Sequence, residues 1–556
     1  MAGLNLSLNG GQTHFLYSRA TTMDGLAFES LLIESKKNLP TGEFDLSRKP
    51  LSEVSKRIAQ AINQSQNIAI YCDYDVDGIA TGTMMKEFID DVAKKIKKRP
   101  QVDINISTRY SSGYGMSADK VEELDKSHDL IIGIDHGANA EFLESYTNNN
   151  KMVIFDHHPS RNVYDFIINP ATDGITGISS GMVVKKFIDY FIDRTKLEIN
   201  PEKYSDLETL TIISDMAKLN DYSRRRLEVG LREINKKDRF AFQTMKGKIQ
   251  HKDLSFDVIS KVNAVGRMED KIDFVSKWLQ QKVDYPSWKK TTDRINNINT
   301  EKKRLINKYF NIFVEQSEAE KDSGNNLRLY VADDIPIGLN GLIAQKLFQY
   351  TNKETVVMSL HQGLYRGSGR GYNIDATLSN IKDALKRRDK DKMFFGGHSA
   401  AVGVKIKPEL LDAFSFHCKN AVSQEHEEIE MICSASVTEL IKLSKIYKDF
   451  TDGIPLDKKF WLSLEDYSFV DIKRHKSNYA SVQLTDGESD SFFFLSLDMI
   501  KEEHLRNGLP LRIAVDELYK DDYTFKFSVE APLVSKFEDK NKSIMHEEEV
   551  SLIRNV

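Results

Sequence analysis

Four short acidic clusters between positions 73 and 215 hold the residue types that do chemistry on charged substrates. They are Asp73-Tyr74-Asp75-Val76-Asp77-Gly78, Asp135-His136-Gly137, Asp156-His157-His158, and Asp215 within Ile213-Ser214-Asp215-Met216. So many carboxylates converging on one rim would repel each other unless cations neutralise them. Carboxylate oxygen mixed with imidazole suits Mn²⁺ or Mg²⁺, whereas a thiolate-rich set would suit zinc. The pattern implies a two-metal hydrolase acting on a phosphate ester.

The positioning elements are legible beside the acids. Ile68-Ala69-Ile70-Tyr71, Leu130-Ile131-Ile132-Gly133-Ile134 and Met152-Val153-Ile154-Phe155 each run directly into one of the first three clusters. Short apolar runs of this kind predict buried parallel strands. The acids would then stand at strand C-terminal ends, where open α/β sheets place their ligands. Val54, Ile58, Ala61 and Ile62 have helical spacing ahead of the first strand. From there to about 225, strands alternate with helical patterns, as in βαβ units.

The rest of the chain suggests further domains. At 556 residues it is too long for one core. Trp288 to Glu315 has neither Gly nor Pro and predicts a long connecting helix. A second α/β region opens with Arg328-Leu329-Tyr330-Val331-Ala332, followed by a helix near Asn340–Tyr350 and a strand over Glu354–Leu360. Residues 460–530 turn aromatic and β-rich, with Asp-Gly and Asn-Gly turns, and suggest a small β-barrel. The formal net charge of −5 argues against a nucleic-acid partner only weakly, because local basic patches decide phosphate binding. Cys72, Cys418 and Cys433 lack paired spacing, which fits a reducing cytoplasm and no zinc site or disulfide framework. No apolar stretch is long enough for a membrane span and the N-terminus has no signal-peptide layout.

These motifs resemble the DHH phosphoesterase superfamily, named for the Asp-His-His at 156–158, and within it the RecJ-like single-strand-specific exonucleases. Further pieces recur in the family's order. They are Arg109 followed by Gly113-Tyr114-Gly115, Asn263-Ala264-Val265-Gly266-Arg267, Gly367-Ser368-Gly369-Arg370 and Gly396-Gly397-His398. Two positions depart from the pattern: Tyr71 stands where many members carry a His, and His136 stands where a small residue is usual. The first would weaken a metal site; the second would add a ligand or an acid.

The resemblance implies an α/β fold with a parallel-sheet DHH domain, a long linking helix, a second α/β (DHHA1) domain and a small OB-like C-terminal barrel. Its expected bounds are an N-terminal extension over 1–50, the metal-binding catalytic domain over 51–228, a helical linker over 229–322, the substrate-binding DHHA1 domain over 323–428, a β-rich nucleic-acid-binding domain over 429–540, and a tail over 541–556.

It also implies roles. Two divalent cations, Mn²⁺ preferred or Mg²⁺, would be held by Asp75 on one side and by Asp77, His157 and Asp215 on the other, with Asp135 bridging. An isolated Asp after a strand can also cap a helix; that accounts for one such residue, not for five together. Asp73 would be a ligand or orient one, Asp156 would fix His157, and His158 would face the scissile phosphate. Gly367–Arg370 would offer backbone N–H groups, a hydroxyl and a guanidinium to a phosphate, so that Ser368, Gly369 and Arg370 hold a 5′-phosphate with Arg109. Arg267 would hold a nearby phosphate, Tyr114 would stack on a base, and Gly397 and His398 would approach the cut. Lys473-Arg474-His475-Lys476, among Tyr467, Phe469 and Tyr479, would serve either as an oligonucleotide grip or as a solvated hairpin face. The runs Lys386-Arg387-Arg388 and Arg224-Arg225-Arg226 read as solvated helix faces.

The implied activity is 5′-to-3′ exonucleolysis of single-stranded DNA to 5′-mononucleotides, in DNA repair, recombination or replication. The location would be a bacterial cytoplasm, or a host cytoplasm for a viral protein. A single-strand-binding protein or a helicase would be a partner, and no membrane would be involved. Two alternatives stay open: a phosphodiesterase for short or cyclic oligonucleotides, and a DNA-binding scaffold with a weakened site.

Overall fold

A computed structural model describes residues 28–29, 32–33, 37, 40–110, 115–146, 150–281, 283–319, 327–351, 353–421, 431–451, 454, 461–474, 479–496, 502–507, 511–514 and 524–526. The chain divides into two compact units, one over Leu39–Leu305 with Pro336–Leu339, the other over Ile306–Ile335 and from Asn340 on, together with the N-terminal segment.

The first unit opens with helix α1 (Arg48–Asn63), which buries Leu51, Val54, Ile58, Ala61 and Ile62 on one stripe. Strand β1 (Asn67–Cys72) follows, then helix α2 (Val76–Lys95), β2 (Gln101–Ile106), α3 (Ala118–Asp125), β3 (Leu130–Ile134), β4 (Met152–Phe155) and the short β5 (Ile167–Ile168). They build an all-parallel sheet in the order β2-β1-β3-β4-β5. β3 and β4 are buried at every position, as strands covered on both faces must be. The chain leaves β1 to one side for β2 and returns on the other for β3, so the order reverses at β1. Ligands of open sheets bind at such a switch point.

Helices α4 (Ser180–Thr195), α5 (Ser205–Ser214) and α6 (Asp221–Asn235) complete this layer. Phe88 of α2 meets Phe191 of α4 edge to face at 5.3 Å, and Phe155 meets Phe187 at 4.9 Å. Helices α7 (Ser260–Met268) and α8 (Phe274–Leu279) lead into α9 (Tyr285–Ala319), the expected long helix, 35 residues in length.

One basic run departs from expectation. Arg225 is exposed, but Arg224 is buried, and Arg226 reaches Glu208 at 2.7 Å and Glu202 at 3.0 Å in a largely buried ion network. Glu208 is itself buried, so its charge needs a cation from α6. Among the described residues, no helix is long and apolar enough to cross a membrane.

In the second unit, β6 (Leu327–Val331), α10 (Asn340–Thr351), β7 (Glu354–His361), β8 (Leu364–Arg370), α11 (Ile374–Ala384), β9 (Met393–His398), β10 (Ala401–Ile406) and α12 (Leu411–Lys419) form a mixed α/β layer. The strand order is β6-β7-β8-β10-β9. One face buries Val356, Met358, Val402, Val404 and Ile406 with Ile374 and Leu378 of α11 and Phe414 of α12. Lys386, Arg387 and Arg388 are exposed as expected.

The C-terminal region contains β11 (Met431–Ser436), α13 (Val437–Thr451), β12 (Trp461–Asp466), β13 (Ser468–Arg474), β14 (Tyr479–Thr485), β15 (Asp490–Ser496), α14 (Glu502–Arg506), β16 (Leu511–Ala514) and β17 (Thr524–Lys526). The described pairings give a three-stranded sheet, β11-β12-β16, and a four-stranded sheet, β13-β14-β15-β17; no pairing that closes them into a barrel falls among the described residues.

Candidate metal centre and active site

The four acidic clusters come together at the C-terminal edge of the parallel sheet. Asp73 follows β1, and its amide donates to the carbonyl of Ile134 at the end of β3. Asp75 is the N-cap of α2, accepting from the amide of Gly78 at 3.2 Å, and Asp77 sits in the first turn. A Cβ at Gly78 would lie 2.5 Å from the carbonyl oxygen of Asp73, so only glycine lets the loop fold back this tightly. Asp135 follows β3 with φ 64°, a left-handed conformation uncommon for a non-glycine residue. Asp156 follows β4, and Asp215 is the C-cap of α5.

Three overlapping sets offer ligand atoms within 4.8 Å of one another: Asp73, Asp75 and Asp135; Asp77, His157 and Asp215; Asp135, His157 and His158. Asp135 joins the first set to the third, and His157 joins the third to the second. His157 Nε2 lies 3.2 Å from Asp135 Oδ1 and 3.6 Å from Asp77 Oδ2, yet it is buried with no hydrogen-bond partner. A buried nitrogen aimed among carboxylate oxygens, without a proton shared well with any of them, suits a cation.

The electrostatics agree. Burial and the charge of Asp75 push Asp73 and Asp77 each up to about 7. Burial and the charge of Asp77 do the same to Asp215. Burial and the surrounding carboxylates hold Asp135 well above the usual range. Burial lowers His157, leaving the neutral imidazole that a metal needs. The donor set, oxygen-rich with imidazole, fits Mn²⁺ or Mg²⁺.

Supporting contacts fix these groups. Ser180 Oγ donates to Asp135 Oδ1 at 2.7 Å, and the amides of Ser180 and Gly181 donate to Asp77 at 2.8 and 3.2 Å. Ser107 Oγ donates to Asp73 Oδ1 at 2.6 Å. The sequence reading missed Ser107 and Ser180. Only Ser179, a side-chain N-cap ahead of the apolar stripe of α4, signalled that a helix start lay there.

Asp156 differs from expectation. Its Oδ1 accepts from His158 Nδ1 at 2.8 Å, whereas it meets His157 only at the backbone amide. It therefore orients the ring of His158. Burial would lower His158, but the hydrogen bond and charge of Asp156 outweigh it and raise the imidazole to about 9.

His136 is no ligand: it belongs to none of the three sets. It lies buried, Nε2 toward the Tyr71 carbonyl at 3.0 Å, its ring edge-on to the Tyr71 ring at 4.7 Å. Burial pushes it down to about 4, so it stays neutral. Tyr71 is a buried core residue with Val121, Ile131 and Ile154. Cys72 is likewise buried as a free thiol.

The Asn263–Arg267 motif serves the first cluster. Asn263 Oδ1 accepts from the amide of Val76 at 3.2 Å. Gly266 lies so close to Tyr74 that a Cβ would stand 2.5 Å from its carbonyl oxygen. Arg267 donates to the carbonyl of Gly338 at 3.3 Å, and Arg109 to the hydroxyl of Tyr74 at 2.7 Å. Tyr114 lies outside the described residues.

Ser368, Gly369, Arg370, Gly397 and His398 belong to the second unit. Gly367–Arg370 is a strand, paired to β7 on one side and β10 on the other. The ladder takes its backbone N–H groups, so the expected amide cradle is not formed; the hydroxyl of Ser368 and the guanidinium of Arg370 share one face instead. The glycines are required by packing, because a Cβ at Gly369 would meet Ile374 and Val402 at 2.8 Å. Gly397 and His398 end β9 at a two-residue hairpin; the side chain of His398 lies outside the described residues. In the C-terminal region Lys473 and Arg474 lie exposed on β13, Arg474 pairs with Glu502 at 2.7 Å, and His475 and Lys476 lie outside the described residues.

A parallel sheet with Asp-His-His at one strand end defines a class, and residues 67–212 match the model of the DHH family, N-terminal domain; this region is a DHH-family domain. The chain is RecJ-like in sequence and fold. It is 24% identical over 463 residues, 79% of its own length, to the single-stranded-DNA-specific exonuclease RecJ of Bacillus subtilis (strain 168). It spans 57% of that relative's length. Its fold matches RecJ of Thermus thermophilus in complex with Mn²⁺ (TM-score 0.67, 17% identity, 92% of this chain and 78% of that one). It also matches the complex of the same protein with Mg²⁺ (TM-score 0.62, 16% identity, 92% and 77%).

Proposed function

We propose that this chain is a metal-dependent exonuclease that degrades single-stranded DNA from its 5′ end to 5′-mononucleotides. The observation that carries the reading is the convergence of Asp75, Asp77, Asp135, His157 and Asp215 at the switch point, with Asp77 and Asp215 pushed up to about 7, Asp135 held well above the usual carboxylate range, and His157 Nε2 unpartnered. The likeness to a relative named a single-stranded-DNA-specific exonuclease supports the substrate; the polarity follows from the motif resemblance and from the phosphate-holding roles it implies for Arg109 and Arg370.

Asp75 would hold one divalent cation, Asp77, His157 and Asp215 a second, and Asp135 both, with Asp73 beside them. Such a pair supplies an activated water and neutralises charge on the attacking and leaving oxygens. The chain's own groups do the rest. Ser180 and the start of α4 keep Asp135 and Asp77 oriented. Asp156 keeps His158 protonated at neutral pH, so the imidazolium donates to a phosphate oxygen in the transition state. Arg109, Arg267, Ser368 and Arg370 would hold phosphates, Arg370 through its planar fork. Tyr114, Gly397 and His398 would line the path of the strand, and the β-rich region, as an OB-like barrel, would grip it further along. The expected domain bounds and a cytoplasmic setting, with a single-strand-binding protein or a helicase as partner, belong to the same reading.

The test is purified protein with single-stranded and duplex DNA in Mn²⁺, Mg²⁺ or EDTA. Metal-dependent loss of the single strand alone is expected. Hydrolysis confined to dinucleotides or cyclic dinucleotides would replace the reading with the smaller-substrate phosphodiesterase. Single-strand binding without hydrolysis in either metal would leave a scaffold.

A further inference from the structure

Helix α5 ends in a way that holding a metal does not explain. Asp215 is its C-cap, and the next two amides close back on the last turn. Met216 donates to the Ile213 carbonyl at 3.4 Å and Ala217 to the Ile212 carbonyl at 3.0 Å. Such a closure turns on one left-handed residue, usually glycine. Here that residue is Met216, with φ 49°. Among the described residues, eight other than glycine have positive φ; Met216 is the one apolar member, and only Met216 and Asp135 stand in the acidic clusters. Packing does not account for it. Met216 is 88% exposed, more than any other large apolar side chain among the described residues. Glycine would make the same turn with no Cβ to crowd the carbonyl.

The place of this residue is where the metal centre opens to solvent. The side chains of Asp77, Asp135 and His157 are 2%, 4% and 12% exposed, but that of Asp215 is 34% exposed. Met216 follows Asp215 directly. Lys218, two residues further on, is exposed and has no carboxylate partner among the described residues. The segment is held in place from the other side. The amide of Lys218 donates to the Gly177 carbonyl at 2.8 Å, and a Cβ at Gly177 would meet Lys218 Cβ at 3.0 Å. An apolar tip and a cation are thus fixed at the mouth of the centre.

We propose that Met216 packs on the base of a nucleotide flanking the cut bond, with Lys218 beside the adjoining backbone. The inference rests on the reading that the centre hydrolyses single strands, and it adds a base contact carried by the metal-bearing unit itself. A phosphodiester lying at the metals brings its two nucleosides to the mouth of the centre. A thioether on three rotatable bonds is soft and adaptable, and it makes favourable contact with an aromatic ring. It therefore suits an enzyme that accepts every base in turn. A hydrogen-bonding side chain in the same place would select among bases.

The experiment follows release of the first nucleotide by full-length protein in Mn²⁺ under single-turnover conditions. The substrates are an intact oligothymidylate and two copies with an abasic site on one side or the other of the first cut. Met216→Ala should slow release from the intact strand about two- to tenfold. On the abasic strand that lacks the contacted base it should make no further difference, since the two changes remove the same contact. Met216→Leu should stay near wild type. Met216→Gly should slow release as Met216→Ala does and yet raise Tm, because glycine takes the left-handed turn without strain. A residue that served only the fold would not separate the two readouts in this way. If the wild type degrades single strands but Met216→Gly retains its full rate, or Met216→Ala slows both abasic strands as much as the intact one, the base contact falls by itself. If the wild type degrades no single strand in Mn²⁺, the functional reading falls and takes this proposal with it.

Discussion

Asp135 carries two burdens at the residue scale. Its left-handed backbone costs on the order of 1 kcal/mol or more, and its buried carboxyl is crowded by Asp77, Asp75 and Asp73. Both are tolerable where a cation repays them. Asp75→Ala, Asp135→Ala and His157→Ala should each reduce hydrolysis by roughly a thousandfold or more, with circular dichroism unchanged, because the ligands act as a unit. Activity within tenfold of wild type in Asp135→Ala would remove its bridging role.

The same carboxylates set a pH dependence. Asp73, Asp77 and Asp215, each near 7 when folded, keep protons that the unfolded chain loses near 4. The metal-free fold is therefore favoured most below about pH 4, and it loses this contribution as pH rises to about 7. Metal binding displaces those protons. The rise in Tm on adding Mn²⁺, measured against EDTA, should grow between about pH 5.5 and 8. A rise that shrinks over that range would contradict the assignment.

Much of this centre was legible in the sequence, because Asp73, Asp135 and Asp156 each follow an apolar run and so declare their place at a strand end; Asp215 instead caps α5. The partner of Asp156 was not legible. His157 and His158 are neighbours in sequence, and only the turn after β4 decides which ring folds back onto the carboxylate.

At the scale of elements, α7 is the support of the first cluster. Gly266→Ala would drive a methyl into the carbonyl of Tyr74 and push α7 off the loop that carries Asp75 and Asp77. It should weaken Mn²⁺ binding, and Asn263→Ala, which removes the acceptor for the Val76 amide, should do so less. Calorimetric titration of Mn²⁺ measures both; wild-type affinity in Gly266→Ala would leave α7 a bystander.

Arg239 is a second element-scale device. Fully buried, it joins Glu87 of α2, through two contacts of 2.8 Å, to Asp206 of α5. Arg239→Met should cost about 3–5 kcal/mol, since two carboxylates are left buried without a cation. Denaturant unfolding would show it as a lower midpoint.

The amides of Gly367–Arg370, expected to cradle a phosphate, are taken by strand partners at 355–358 and 401–404, a pairing that no local pattern declares. Gly-x-Gly also has the period of a strand. Here small residues mark a tightly packed face rather than a bend. The buried part of Arg224–Arg226 was hidden for a similar reason: its partner Glu208 sits on another helix, and no local pattern couples the two.

At the scale of the molecule, the proposed function turns on the direction of attack. Arg370→Ala should reduce the preference for a phosphorylated 5′ end by about 1.5–3 kcal/mol, the strength of a charge-assisted pair. The most direct measurement follows single-stranded DNA, labelled at the 5′ or the 3′ end, over time with Mn²⁺. The 5′ label should appear at once as mononucleotide, while the 3′-labelled strand shortens step by step. Immediate release of the 3′ label, with the 5′-labelled strand shortening gradually, would contradict the account.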